Sequence, residues 1–171
     1  MKPSILIVTA SDGNNLKLAN TLLEISKEHE ASFEVVNLLD LDLPLYSSKA
    51  EADGTPKDAT FITTKFMNAQ GFIFLAPEYN GSVPPALNNT IAWISRSGND
   101  NWRDALNTKP VVLGTHSGGG GNHVLMAMQE QFAFIGCNII GRKLLTSYAK
   151  ELNVDSAKDV LAQLVRISSL K

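Results

Sequence analysis

Cysteine is almost missing from this chain: Cys137 is the only one in 171 residues. One thiol can form neither an internal disulfide framework nor a zinc ribbon, and such usage suits a reducing cytosol. Excess charge of either sign is also lacking, since fifteen Lys+Arg stand against seventeen Asp+Glu for a net charge of −2. Nucleic-acid binders usually carry a basic footprint, so that balance argues against one. Charged residues reach only 19% while hydrophobic residues reach 44%, which excludes a coiled coil and a disordered chain. No apolar run approaches the ~20 residues needed to span a bilayer. The opening run Ile5–Val8 is shorter than the apolar region of a signal peptide. Repeats, low-complexity tracts and linkers are absent as well. The expectation is one cytoplasmic domain over residues 1–171, with neither nucleic acid nor membrane as a partner. A compact chain of this size buries roughly 70% of its unfolded surface and needs no staple.

What is present is an alternation. Short apolar runs occur at Ser4–Thr9, Phe33–Leu38, Gly71–Ala76, Pro110–Gly114 and Cys137–Ile140. All but the second, with its Glu34, are almost free of charge, as strands buried on both faces are. Between them lie five helical patterns. The first carries Leu16, Ala19, Leu22 and Leu23; the second opens on Thr55-Pro56 as N-cap and N1. The third opens on Pro84-Pro85, the fourth stops at Gly136, and the last follows Asn153. Five strands and five helices in strict alternation predict an α/β chain: a three-layer, doubly wound, five-stranded parallel sheet of flavodoxin-like order 2-1-3-4-5. Ligands bind such sheets at the carboxyl ends of the strands, beside the switch between the first and third.

Three loops therefore matter most. Thr9-Ala-Ser-Asp-Gly-Asn-Asn-Leu16 follows a strand and opens a helix, so its backbone N–H groups, that of Gly13 included, form a ready anion site. Ser11, Asn14 and Asn15 add donors suited to phosphate, although the same residue types also serve as caps and turns. Ala76-Pro-Glu-Tyr-Asn-Gly-Ser-Val-Pro-Pro85 is stiffened by prolines, and Tyr79 offers a flat surface for an aromatic ligand. A rigid connection that merely caps the next helix reads equally well. Gly114-Thr-His-Ser-Gly-Gly-Gly-Gly-Asn-His123 holds four successive glycines. Such a run costs conformational entropy, and the usual reasons for it are close backbone approach to a ligand or a mobile turn.

Together the loops resemble the NAD(P)H-dependent FMN reductase family, flavodoxin-like enzymes that include azo-dye, quinone and chromate reductases. The residues carrying the likeness are Pro77-Glu-Tyr-Asn-Gly-Ser-x-Pro84, then Leu87, Asn89, Ile91 and Trp93, with Ser117-Gly-Gly and Gly121 after the fourth strand. The resemblance covers essentially the whole chain. It implies one FMN per site, NAD(P)H as co-substrate, a small-molecule electron acceptor, and a homodimer or homotetramer. Ser11 and Asn15 would then serve the phosphate. Pro77, Glu78, Tyr79 and Asn80 would lie along the isoalloxazine ring, and Ser82 near the phosphate or ribityl chain. Ser117, Gly118, Gly119 and Gly121 would approach the pyrimidine end. The chain departs from the family pattern in its first loop, which is shorter and has Asp12-Gly13 where an arginine is common. It also has Asn88 and Ala92 where Lys and Asp are common.

Hydride chemistry in such enzymes belongs to the cofactor, so no indispensable acid–base side chain is expected. The competing reading is a flavin-binding or nucleotide-binding electron carrier on the same fold, its FMN binding weakened by the altered first loop. Cys137 reads as an inert buried thiol and His29 as a solvated helix end, while contact with a flavin or donation of a proton is the minority reading of His116. Trp93 and Trp102 fit either core or interface. The stretch around Lys143, Lys150 and Glu151 reads as a solvated face.

Overall fold

The computed structural model describes residues 2–97 and 101–170. Its strands are β1 (Ser4–Thr9), β2 (Ser32–Asn37), β3 (Gly71–Leu75), β4 (Pro110–His116), β5 (Asn138–Ile139) and β6 (Leu144–Thr146). They form one parallel sheet of order β2-β1-β3-β4-β5, with β6 also pairing β4. The expected order is therefore present, but the fifth position is split into two pieces. β5 pairs with Pro110–Val111 and β6 with Gly114–His116. The break falls at Gly141-Arg142-Lys143, where a flexible residue and two cations cannot continue a buried strand. The apolar run at Cys137–Ile140 marks only the first piece.

The helices are α1 (Asn14–Ser26), α2 (Ser48–Ala52), α3 (Lys57–Asn68), α4 (Pro85–Ser97), α5 (Asn122–Ile135) and α6 (Val154–Ser168). Five answer to the sequence patterns. The extra one, α2, buries no residue, so it leaves no apolar stripe to read; the Ser47 side chain caps it by accepting from Ala50 N–H. On α3 the capping position is Pro56, in extended conformation and with no side-chain bond, rather than Thr55. On α1 the core face is Leu18, Ala19, Leu22 and Ile25, while Leu16 and Leu23 are half-buried at its margin. α5 ends as expected on Gly136 in the left-handed region, φ +103. Asn153 caps α6 by accepting from Ser156 N–H at 2.8 Å.

Strand alternation divides the interior into two layers. Leu6, Val8, Phe72, Phe74, Val111 and Leu113 face α3, α4 and α5, where Phe74 stacks on Phe132 at 4.2 Å. Ile5, Ile7, Ile73, Leu75 and Val112 face α1 and α6. Burial of apolar side chains on both faces is the main source of stability for such a sandwich. Trp93 belongs to this core and Trp102 packs at its edge. Because the strands are parallel, the chain leaves β1, β3, β4 and β6 at the same end of the sheet, and the loops that follow them gather there.

Candidate functional site

The first of these loops delivers α1 with its leading end open. Gly13 sits at the capping position and offers no side-chain bond, the first turn holds no acidic residue, and no described residue accepts from the N–H groups of Asn14, Asn15 or Leu16. An uncapped helix start carries partial positive charge and free donors, so it attracts an anion. Asn15, read from the sequence as a phosphate donor, is buried, and its side chain is engaged elsewhere. Its Oδ1 accepts from His116 N–H at 2.7 Å and its Nδ2 donates to the His116 carbonyl at 3.1 Å. That double bond ties α1 to the end of β4. What Asn15 leaves for a ligand is its backbone N–H.

The second loop contains a two-residue hairpin. Tyr79 and Ser82 exchange N–H···O bonds of 3.0 Å in both directions, and Asn80 and Gly81 between them have φ +50 and +72. Two consecutive left-handed residues make a tight turn for which Asn-Gly is the favoured pair. Asn80 is thus accounted for by the turn. Glu78, just before it, reaches 45 residues along the chain, accepting from His123 N–H at 3.0 Å and from Val124 N–H at 3.2 Å. These are the first-turn donors of α5, whose own capping residue, Gly121, has no side chain. A carboxylate at a helix start gains from both hydrogen bonds and the dipole. Glu78 therefore locks the second loop onto the third.

In the third loop Ser117 is buried, and its Oγ accepts from Gly119 N–H at 3.3 Å. Gly120 and Gly121 turn at φ +98 and +72. At Gly121 an added Cβ would stand 2.6 Å from Thr115 Cγ2, so both conformation and space demand glycine. Upstream, Thr115 Oγ1 donates to the Ala76 carbonyl at 2.7 Å, bracing the ends of β3 and β4. Thr146 Oγ1 donates to the Thr115 carbonyl at 3.3 Å and lies 3.1 Å from His116 Nδ1. His116 Nε2 is buried and has no partner among the described residues.

Ser11, Asp12, Gly13, Asn14, Asn15, Pro77, Glu78, Tyr79, His116, Ser117, Gly118 and Tyr148 line one cleft of about 280 Å³. Nine of the thirteen residues expected to bind the cofactor thus meet at one place, and His116 joins them. Asn80, Ser82, Gly119 and Gly121 do not line it. Ser82 instead borders a groove with Asn88 and Gln131, whose side chains join α4 to α5 by a 2.9 Å bond. Sequence reading missed Tyr148, which lies in the stretch taken for a solvated face. None of the lining residues is Lys or Arg, and Asp12 is exposed. A larger depression of about 610 Å³ lies among Asp42, Pro44, Ala50, Asp53 and Asp58, away from the three loops. Asn89 and Trp93, which also carry the resemblance, hold the segment after β2. Asn89 Oδ1 accepts from Tyr46 N–H at 2.8 Å, and Trp93 Nε1 donates to the Pro44 carbonyl at 2.7 Å.

Two perturbed groups lie at the opposite end of the sheet. Burial pulls the Lys109 ammonium down to about 8, while its Nζ donates to the carbonyls of Phe66 and Met67 at 2.6 and 3.0 Å. Burial pushes the Cys137 thiol up to about 12, which fits the inert thiol read from the sequence. His29 is half-buried, its Nε2 enclosed and without a partner among the described residues, and so departs from the solvated helix end expected of it.

With this geometry in hand, comparison with known proteins places the chain. A family model described as NADPH-dependent FMN reductase matches residues 3–151. An uncharacterized protein of Mycoplasma pneumoniae is 29% identical over 151 residues, covering 86% of this chain and 88% of that one. A quinone reductase of Escherichia coli is 31% identical over 132 residues, which span 75% of this chain and 66% of the relative. Among solved structures, the flavoenzyme NAD(P)H:(acceptor) oxidoreductase FerB of Paracoccus denitrificans superposes with a TM-score of 0.78 at 17% identity, covering 97% of both chains. An azoreductase of Bacillus anthracis superposes with a TM-score of 0.64 at 14% identity, covering 97% of this chain and 96% of that one. At those identities the superpositions speak for a common fold.

Proposed function

Since the chain belongs to the NADPH-dependent FMN reductase family, oxidoreductases that bind FMN and draw electrons from NAD(P)H, we propose that its reaction is hydride transfer from NAD(P)H by way of FMN to a quinone. The observation that carries this reading is the open start of α1, facing the same cleft as the second and third loops. Bound FMN supplies a ring that accepts hydride and passes electrons on. The chain supplies the rest. The N–H groups of Asn14, Asn15 and Leu16, with the Ser11 hydroxyl and the Asn14 amide, hold the phosphate. Pro77, Glu78 and Tyr79 would border the ring, and Ser117 and Gly118 would lie at its pyrimidine end, with Gly119 held behind them by the Ser117 hydroxyl. Fixed backbone donors there stabilise negative charge without reorganising. Asn80 and Gly121 serve by shaping the turns, and Ser82 by closing the hairpin. The buried Nε2 of His116, without a partner among the described residues, fits a polar group of the ligand.

Residues 1–171 form one catalytic domain in this reading, working in the cytoplasm as a homodimer or homotetramer. Support for association comes from α5, where Met126 and Phe134 are 69% and 78% exposed and leave apolar surface to cover. The test is a visible spectrum after mixing with FMN and desalting, followed by anaerobic NADPH or NADH and then a quinone. A flavin band that is retained, bleaches and returns with quinone supports the reading. A chain that binds no FMN even at equilibrium, with the flavin in excess, overturns it. A band that bleaches and returns only with an azo compound, a metal oxyanion or free flavin moves the acceptor.

A further inference from the structure

We propose that Tyr148 is a further ligand-binding residue of the cleft, its phenol hydroxyl donating to the phosphate received at the start of α1. This rests on the flavin reading above. Tyr148 sits at the tip of the turn between β6 and α6, where Ser147 and Lys150 exchange N–H···O bonds of 2.9 and 3.2 Å. The backbone carrying it is thus fixed, yet the side chain is 84% exposed. That ring is nonetheless placed. It stands edge-on to His116 with centroids 5.2 Å apart, and an added Cβ on Gly118 would touch its Cε2 at 3.4 Å.

Donor counting shows what the hydroxyl is free to do. Asn14 Nδ2 donates to the Tyr148 oxygen across 3.5 Å. An amide NH₂ takes no proton in return, so the phenol hydrogen is left without an acceptor among the described residues. It is left beside the first-turn N–H groups of α1, which also lack one. A second unmet polar atom lies on the neighbouring ring, where the enclosed Nε2 of His116 has no partner among the described residues. Among the described residues that line the cleft none is Lys or Arg, which leaves neutral donors to hold the phosphate. A hydroxyl bonded to a charged oxygen is among the stronger of these. Burying the exposed ring against the ligand adds apolar contact.

The experiment measures equilibrium binding of FMN and of riboflavin, which lacks the phosphate, to the wild type, Tyr148→Phe and Tyr148→Ala by flavin fluorescence. Tyr148→Phe is expected to weaken FMN about tenfold, as loss of one charge-assisted hydrogen bond does, and to leave riboflavin unchanged. Tyr148→Ala is expected to weaken both. A Tyr148→Phe protein that keeps the wild-type ratio of FMN to riboflavin affinity overturns the proposal while leaving the flavin reading intact. A wild type that binds both flavins equally overturns the proposal together with the placement of the phosphate at the start of α1, and leaves only flavin binding itself. A wild type that binds neither overturns both. Superimposable thermal melts of the three proteins, expected for so exposed a side chain, confirm that the comparison reads binding.

Discussion

At Gly121 the backbone turns at φ +72, and a side chain would meet Thr115 at 2.6 Å, Leu145 at 3.1 Å and Ser117 at 3.2 Å. Gly118, in the same run, has an ordinary φ and would meet only the Tyr148 ring, at 3.4 Å. Gly121→Ala should therefore cost about 2–4 kcal/mol, strain and overpacking together, whereas Gly118→Ala should stay within about 1 kcal/mol. Urea unfolding of the two variants measures the contrast. The sequence announced that the run needed a reason without telling these positions apart, because the reason is the nearness of Thr115 and Leu145. The same limit applies to Asn15. Its residue type and place suit a phosphate ligand, but its amide is used on His116, 101 residues away. Tyr148 escaped notice for a different cause: its neighbours Lys150 and Glu151 give the segment a solvated look, and only folding brings it to the cleft.

Elements were more legible than residues, since periodicity and caps are local. The runs at Ser4–Thr9, Gly71–Ala76 and Pro110–Gly114 became β1, β3 and β4 almost to the residue. β6 was missed because three residues between two cations and a polar turn carry no pattern, and α2 because a helix that buries nothing has no stripe. The start of α5 shows an element completed from elsewhere, as Glu78 supplies the cap that Gly121 lacks. Glu78→Ala should cost about 1–2 kcal/mol in chemical denaturation, the range for loss of an N-cap. Glu78→Gln keeps an acceptor oxygen and should cost less. If both variants unfold with the wild type, the carboxylate is not holding the helix.

For the molecule as a whole, the clearest pH signature comes from Lys109. Folding lowers its ammonium to about 8, against about 10.4 in an unfolded chain. Between those values the unfolded chain binds more protons than the folded one, so stability rises with pH as the buried charge is relieved. Cys137 acts in the opposite sense: its thiol is pushed up to about 12, so the unfolded chain ionises first at high pH. A Lys109→Met comparison removes most of the cysteine contribution, since burial is the main cause of the Cys137 shift and the Lys109 charge a lesser one. The stability of the wild type relative to this variant should grow from pH 7.5 to 10; a constant difference would contradict the buried charge. This property was not legible beforehand, because nothing in the sequence around Lys109 says which helix end its ammonium will meet.

The broken fifth position of the sheet bears on how the protein behaves in a crowded solution. A sheet margin offers unpaired N–H and C=O groups that another chain can extend, and long flat margins seed aggregation. Here the outermost row beyond β4 consists of a two-residue and a three-residue piece, separated by Gly141 and two cations. Neither piece is long enough to template a strand, and the charges between them disfavour an incoming apolar edge. The interruption that hid β6 from view thus protects the β5–β6 margin from growth by strand addition.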